Sequence, residues 1–137
     1  MRNVSVRHVS GDRFRIDIGT HTLAVDQPTD VGGADTAPTP TELFVASLAS
    51  CVAHYARRYL ARHEISPDGL EVSASYELGT SPARVSEVQV VVRLAADLTV
   101  ERRAGLLAVA SHCTVHNSIT HPPSISVILA EEVVPVP

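Results

Sequence analysis

The sequence has no lysine. All eleven basic residues are arginine, and they form no patch dense enough to track a nucleic acid. With a formal net charge of −4, the chain is not expected to have nucleic acid as a partner. No apolar run approaches the roughly 20 residues that a membrane-spanning helix requires. The opening stretch MRNVSVRHVSGDRFRID lacks the apolar core and small-residue cleavage site of a secretory signal. A soluble, cytoplasmic protein without a membrane partner is therefore expected. No G-x-S-x-G elbow, P-loop or dinucleotide-binding fingerprint occurs, and Gly32-Gly33 reads as loop rather than as a phosphate cradle. Cysteine is scarce too. The only two are Cys51 and Cys113, and cytoplasmic thiols are reduced by default.

What is present is an ordinary globular composition. Hydrophobic residues make up 45% and charged residues 19%, enough apolar sequence for one domain over 1–137 and too much for disorder. The first 26 residues alternate. Val4, Val6 and His8, then Phe14, Ile16 and Ile18, then Leu23 and Val25 predict a three-stranded antiparallel meander with one apolar face, turning at Ser10-Gly11-Asp12 and Gly19-Thr20. Residues 27–38 are dense in Pro, Gly and Asp and predict a loop, long enough to suggest a functional or partner-contacting role.

Thr39-Pro40-Thr41-Glu42 is a helix start. Thr39 caps, Pro40 occupies the first helical position, and Glu42 completes a capping box. Phe44, Leu48, Val52, Tyr55 and Tyr59 then recur at helical spacing, and the helix is expected to end near Glu64. Since no charge follows Glu42 until Arg57, the first half of this helix is expected to be buried nearly all round. Two strands follow, Leu70–Leu78 and Val85–Leu94, then a helix capped by Thr99 and running to about His112. Cys113 opens a short helical segment that His121-Pro122-Pro123 stops. Ser124–Ala130 alternates as a last strand, and the tail Val133–Pro137 is expected to be extended. The order βββ-α-ββ-α-(α)-β predicts an α+β fold, with helices against antiparallel sheets.

Several readings of the two cysteines stay open. Free cysteine is commonly a small buried hydrophobe. A thiol at a helix start can instead have its pKa lowered, which gives Cys113 a local reason to react, whereas Cys51 lies within the long helix and needs help from a neighbour. His54 follows Cys51 by three residues and His116 follows Cys113 by three, so two C-x-x-H pairs could form a four-ligand zinc site. Against that, Cys51 is deep in a helix, not on a knuckle.

The stretch Pro38-Thr39-Pro40-Thr41-Glu42-Leu43-Phe44-Val45-Ala46-Ser47-Leu48-Ala49-Ser50-Cys51 resembles the central-helix signature of the OsmC/Ohr (osmotically inducible / organic hydroperoxide resistance) family. Cys113-Thr114-Val115-His116-Asn117-Ser118 resembles that family's second cysteine motif, and the order of elements around both is similar. The resemblance implies an intertwined homodimer with long buried central helices and sites at the interface. It implies that Cys51 attacks an organic hydroperoxide and that the sulfenic acid condenses with Cys113. A dithiol reductant then opens the disulfide, with no metal or organic cofactor, in defence against oxidative stress.

It also implies an activating Glu and Arg, for which Glu42 and Arg13 are the candidates. Both depart from the pattern. The Ohr-type Glu lies ten residues before the cysteine, where this chain has Thr41, and Glu42, nine before, falls about two and a half turns away on the opposite face. Arg13 matches the family's loop Arg loosely, and the chain is placed in an OsmC-like branch rather than in true Ohr. The alternative is a non-catalytic dimer of the same fold, whose apolar interface pocket, lined by Phe44, Leu48, Tyr55 and the Val-rich strands, holds a small ligand.

Overall fold

Up to residue 120, alternating apolar residues form strands, and three- and four-residue apolar spacings form helices, where the sequence placed them. In the computed structural model, which describes residues 1–130, the order is β1 (Ser5–Ser10), β2 (Arg13–Ile18), β3 (His21–Val25), α1 (Pro40–Arg62), β4 (Glu71–Gly79), β5 (Arg84–Arg93), α2 (Val100–Ala110) and α3 (Thr114–Thr120). The fold is α+β, with two antiparallel sheets, β1-β2-β3 and β4-β5. No helix among the described residues is long and apolar enough to cross a membrane.

The meander's register gathers its apolar residues. Val6 pairs with Ile16 and Ile16 with Leu23, while Phe14 pairs with both His8 and Val25. Cross-strand partners share a face, so these side chains form one apolar surface. Of the residues in the three strands only Val25 is buried, whereas Val6 is 57% and Leu23 47% exposed.

α1 starts as its sequence dictates. The Glu42 N–H donates to Thr39 Oγ1 at 3.1 Å and the Thr39 N–H donates to Glu42 Oε1 at 3.0 Å. It ends one turn after Tyr59, with Ile65 N–H donating to Leu60 O at 2.9 Å and Glu64 at φ 55° in the left-handed position that usually takes glycine. Its buried stripe, Val45, Leu48, Val52, Ala56, Tyr59 and Leu60, lies against the β4-β5 sheet, α2 and α3. Leu48 and Val52 meet Ala110 and Cys113 in one cluster, and Ala56, Tyr59 and Leu60 meet Leu106 in another. Gly105 lets α2 approach α1, since a Cβ there would collide with the Tyr59 ring, 2.9 Å from its Cζ. Arg102 and His63 tie the same helices one turn further on, Arg102 Nη1 lying 2.7 Å from His63 Nδ1. Burial, then the neighbouring Arg102 and Arg62 charges, lower the His63 pKa, so the ring is suited to accept this bond in its neutral form.

Two expectations are corrected. The first half of α1 is not buried all round within one chain, because Phe44, Ala46, Ser47 and Ser50 are exposed. The reason is topological: α1 lies on the β4-β5 sheet only, and the meander sheet does not pack extensively over its other side. Nor does Ser124–Ala130 form the expected last strand. It pairs with no strand among the described residues, and Ile125, Val127, Ile128 and Leu129 are exposed. Alternation supplies a strand's faces but not the neighbour that its backbone needs. The tail Val133–Pro137 lies outside the described residues.

Candidate dithiol site

Cys51 faces α3 from the middle of α1. It is half-buried and packs against the cluster of Leu48, Val52, Ala110 and Cys113. Cys113 is fully buried, at 0% exposure, in the capping position of α3. The two cysteines are free thiols, and Cys51 lies near enough to Cys113 to help raise its pKa. Beside them, Tyr55 OH lies 2.8 Å from Thr114 Oγ1 and pins the start of α3 to α1.

The electrostatics of Cys113 reverse the expectation for a helix-start thiol. The His116 N–H donates to Cys113 Sγ at 3.4 Å and favours the thiolate, as does the Val115 backbone. Burial is the larger influence, and the Cys51 thiol adds to it, so the Cys113 pKa is raised and not lowered. Loss of hydration outweighs what one turn of a seven-residue helix returns.

Leu48, Val52 and Ala110 of the same cluster also line an open groove of about 410 Å³, whose lining includes neither cysteine. Phe44, Leu48 and Val52 of α1, Val90 of β5 and Leu107 of α2 give it an apolar lining, with His116 and Glu87 among its polar members. Tyr55, expected in such a lining, is engaged with Thr114 instead and does not contribute. His54 is exposed, its ring edge-on to Tyr55. No group of three or more His, Cys, Asp or Glu side chains among the described residues could hold a metal ion, so the two C-x-x-H pairs do not converge as zinc ligands.

The remaining candidates lie elsewhere in the chain. Glu42 is at the start of α1, committed to the capping box, and its nine-residue separation from Cys51 spans about 13 Å along the helix. Arg13 lies on β2, where Nη1 donates to Thr36 Oγ1 at 2.6 Å. Thr36 in turn donates through Oγ1 to Asp26 Oδ2 at 2.7 Å and through its N–H at 3.0 Å, and the Gln27 N–H donates to Asp26 Oδ1 at 2.7 Å. Asp26 is 1% exposed, and the hydrogen bonds from the Thr36 hydroxyl and backbone hold its pKa down to about 2. Within one chain this network positions Arg13 on the meander side, not beside Cys51.

Asp26 was invisible to the sequence reading. It stands at the border of strand and loop, where acidic residues are common, and only folding of the loop back onto it creates its role. That folding is tight: Asp26 N–H donates to Pro38 O at 3.1 Å, Asp35 N–H to Gln27 O at 3.0 Å, and a Cβ on Gly33 would collide with the Gln27 backbone.

Comparison with known proteins gives this geometry a setting. The profile of the OsmC-like protein family matches residues 32–128. The structure is similar to that of a candidate osmotic stress induced and detoxification response protein from Psychrobacter arcticus, with a TM-score of 0.81 and 27% identity over 89% of this chain and 90% of that one. It is also similar to an organic hydroperoxide resistance protein OsmC from Legionella pneumophila (TM-score 0.62, 20% identity, 87% and 88% covered). A third is a candidate organic hydroperoxide resistance protein from Vibrio cholerae with captopril bound in one of its active sites (TM-score 0.66, 20% identity, 89% and 87% covered). No curated protein matches the chain.

Proposed function

This chain belongs to the OsmC-like protein family, and on that premise we propose that it is a thiol-dependent peroxidase that reduces organic hydroperoxides in defence against oxidative stress. The observation that carries this reading is the proximity of Cys51 and Cys113, far apart in sequence, in a cluster whose Leu48, Val52 and Ala110 also line an apolar groove. The organic hydroperoxide resistance of the Legionella and Vibrio proteins, as described for them, supports the substrate class.

The two thiols divide the work by environment. Cys51 is the more accessible, and Cys113 is held as a thiol by burial. The Cys51 thiolate attacks the O–O bond, which breaks. The distal oxygen stays on sulfur as sulfenic acid, and the alkoxide leaves and is protonated to the alcohol. The Cys113 sulfur then attacks Cys51, the S–O bond breaks, water leaves and a disulfide remains. A dithiol reduces it by exchange. The scheme uses no metal and no organic cofactor.

The acting unit in this proposal is a homodimer. The exposed apolar face of the meander, the uncovered side of α1 and the unpaired Ser124–Ala130 are the surfaces a second copy would cover. In that arrangement Arg13, held by Thr36, serves the second copy's Cys51 by binding the peroxide oxygen. Glu42 supports the site through the helix start it caps.

The test is peroxide consumption followed by peptide mass spectrometry. Cys51→Ser is expected to abolish turnover, and Cys113→Ser to stall at a Cys51 sulfenic acid. Equal consumption by wild type and Cys51→Ser overturns the reading. The groove supports a second reading, a module that binds a small apolar ligand with incidental cysteines. Native mass spectrometry would then find a co-purifying ligand, and rapid stoichiometric Cys51–Cys113 disulfide formation would weigh against it.

A further inference from the structure

The proposed cycle leaves one proton without a carrier. Cys113 must lose its proton as its sulfur attacks Cys51, in a pocket that holds it as a thiol, and the departing hydroxide must gain one. His116 is the titratable residue that touches the Cys113 sulfur, through its backbone N–H. It follows Cys113 by three residues on the first turn of α3, its backbone N–H holds the Cys113 sulfur at 3.4 Å, and its half-buried side chain lines the groove that Leu48, Val52 and Ala110 of the Cys113 cluster also line. Cys113 is the capping residue and His116 the third helical residue, a position whose side chain can reach back towards the cap. The elements packed around it offer few competitors. α1 presents Cys51 and Tyr55 near the site, with the Tyr55 hydroxyl engaged by Thr114, and it presents only apolar side chains to the groove. α2 presents Leu107 and Ala110, and β5 presents Glu87 as its one charged lining residue. His112, on the link to α3, is exposed and bonded to Ala108 O at 2.7 Å.

We infer that His116 accepts the proton of Cys113 as the disulfide closes and returns it to the hydroxide that leaves Cys51. The step balances: the S–S bond forms from the Cys113 electron pair, the Cys51 S–O bond breaks, and sulfenic acid plus thiol become disulfide plus water. The oxidant is the organic hydroperoxide of the first step, so the inference rests on the peroxidase reading. Histidine suits the task because its ordinary titration range spans neutral pH.

The experiment treats the full chain with cumene hydroperoxide and follows Cys51 sulfenic acid and the Cys51–Cys113 disulfide by quenched mass spectrometry across about pH 5 to 8. In wild type, closure is expected to accelerate as pH rises through one ionisation. In His116→Gln, which keeps the backbone N–H, closure is expected to slow on the order of 10²-fold near neutral pH. Sulfenic acid should accumulate, the inflection should disappear, and added imidazole should restore part of the rate. Closure in His116→Gln within about twofold of wild type, with the same pH profile, overturns the inference and leaves the peroxidase reading standing. The wild-type pH profile tests it independently should the variant fold poorly, and a flat profile counts against it. Absence of any Cys51 sulfenic acid in wild type removes the peroxidase reading, and this inference with it.

Discussion

Six side chains of α1 are buried, whereas the three strands of the meander together bury only Val25. Both regions have a regular apolar pattern, helical in one and alternating in the other. α1 finds its cover within the chain, in β4, β5, α2 and α3. The meander aligns Val6, Ile16 and Leu23 into a face and leaves much of it to solvent. A contiguous exposed apolar face of this kind marks an interaction surface. The helical region thus has its packing partners inside one chain, while the meander's apolar face is left largely uncovered by the described residues and is the surface the proposed homodimer would cover.

Substitutions can separate the two regions. The largest effect is expected in the helical region. Leu60 is 0% exposed, and Leu60→Ala should cost about 3 kcal/mol by transfer loss and cavity formation. Urea denaturation would read this as a loss in stability that does not depend on protein concentration. An effect that vanished at high concentration would break the contrast. In the meander the dependence should reverse. Val6→Asp adds a charge to the open face and should weaken self-association about tenfold, equivalent to about 1.4 kcal/mol, as measured by sedimentation equilibrium. Unchanged association would remove the meander from the interface.

Asp26 sharpens the comparison at the junction of the two regions. Its folded-state pKa, about 2, lies below the ordinary carboxylate value of 3.8. The stability it contributes is therefore fully present above that ordinary value and is lost as pH falls towards about 2. Acid titration of wild type against Asp26→Asn should show this loss in wild type and not in the variant. Identical acid limbs would show that the loop is held by something else. The smallest effect is expected at the end of α1, where Glu64 is left-handed at φ 55°. Glu64→Gly should raise stability by about 0.5 kcal/mol, the relief of side-chain crowding exceeding the added chain entropy. Thermal unfolding would measure it.

The legible parts of the molecule were those governed by neighbours in sequence. The capping box Thr39–Glu42, the α1 stripe, the meander and the caps at Thr99 and Cys113 formed within one or two residues of expectation. Features that depend on distant segments misled. The uncharged first half of α1 read as a fully buried helix, although one chain covers only one side of it. The helix start gave Cys113 a local reason for a lowered pKa, a rule that burial among Leu48, Val52 and Ala110, with Cys51 adding to it, overrode.

The amino-acid order by itself determined the elements up to residue 120, their faces and the two cysteine motifs, because periodicity and capping act over three or four residues. Tertiary structure alone decided that Cys51 and Cys113 come together in one cluster, that Asp26 closes the 27–38 loop, and that Glu42 and Arg13 stand away from Cys51 within a chain. Those outcomes depend on which surfaces lose their water against which others, and that balance is struck between segments too far apart in sequence for any local pattern to record it.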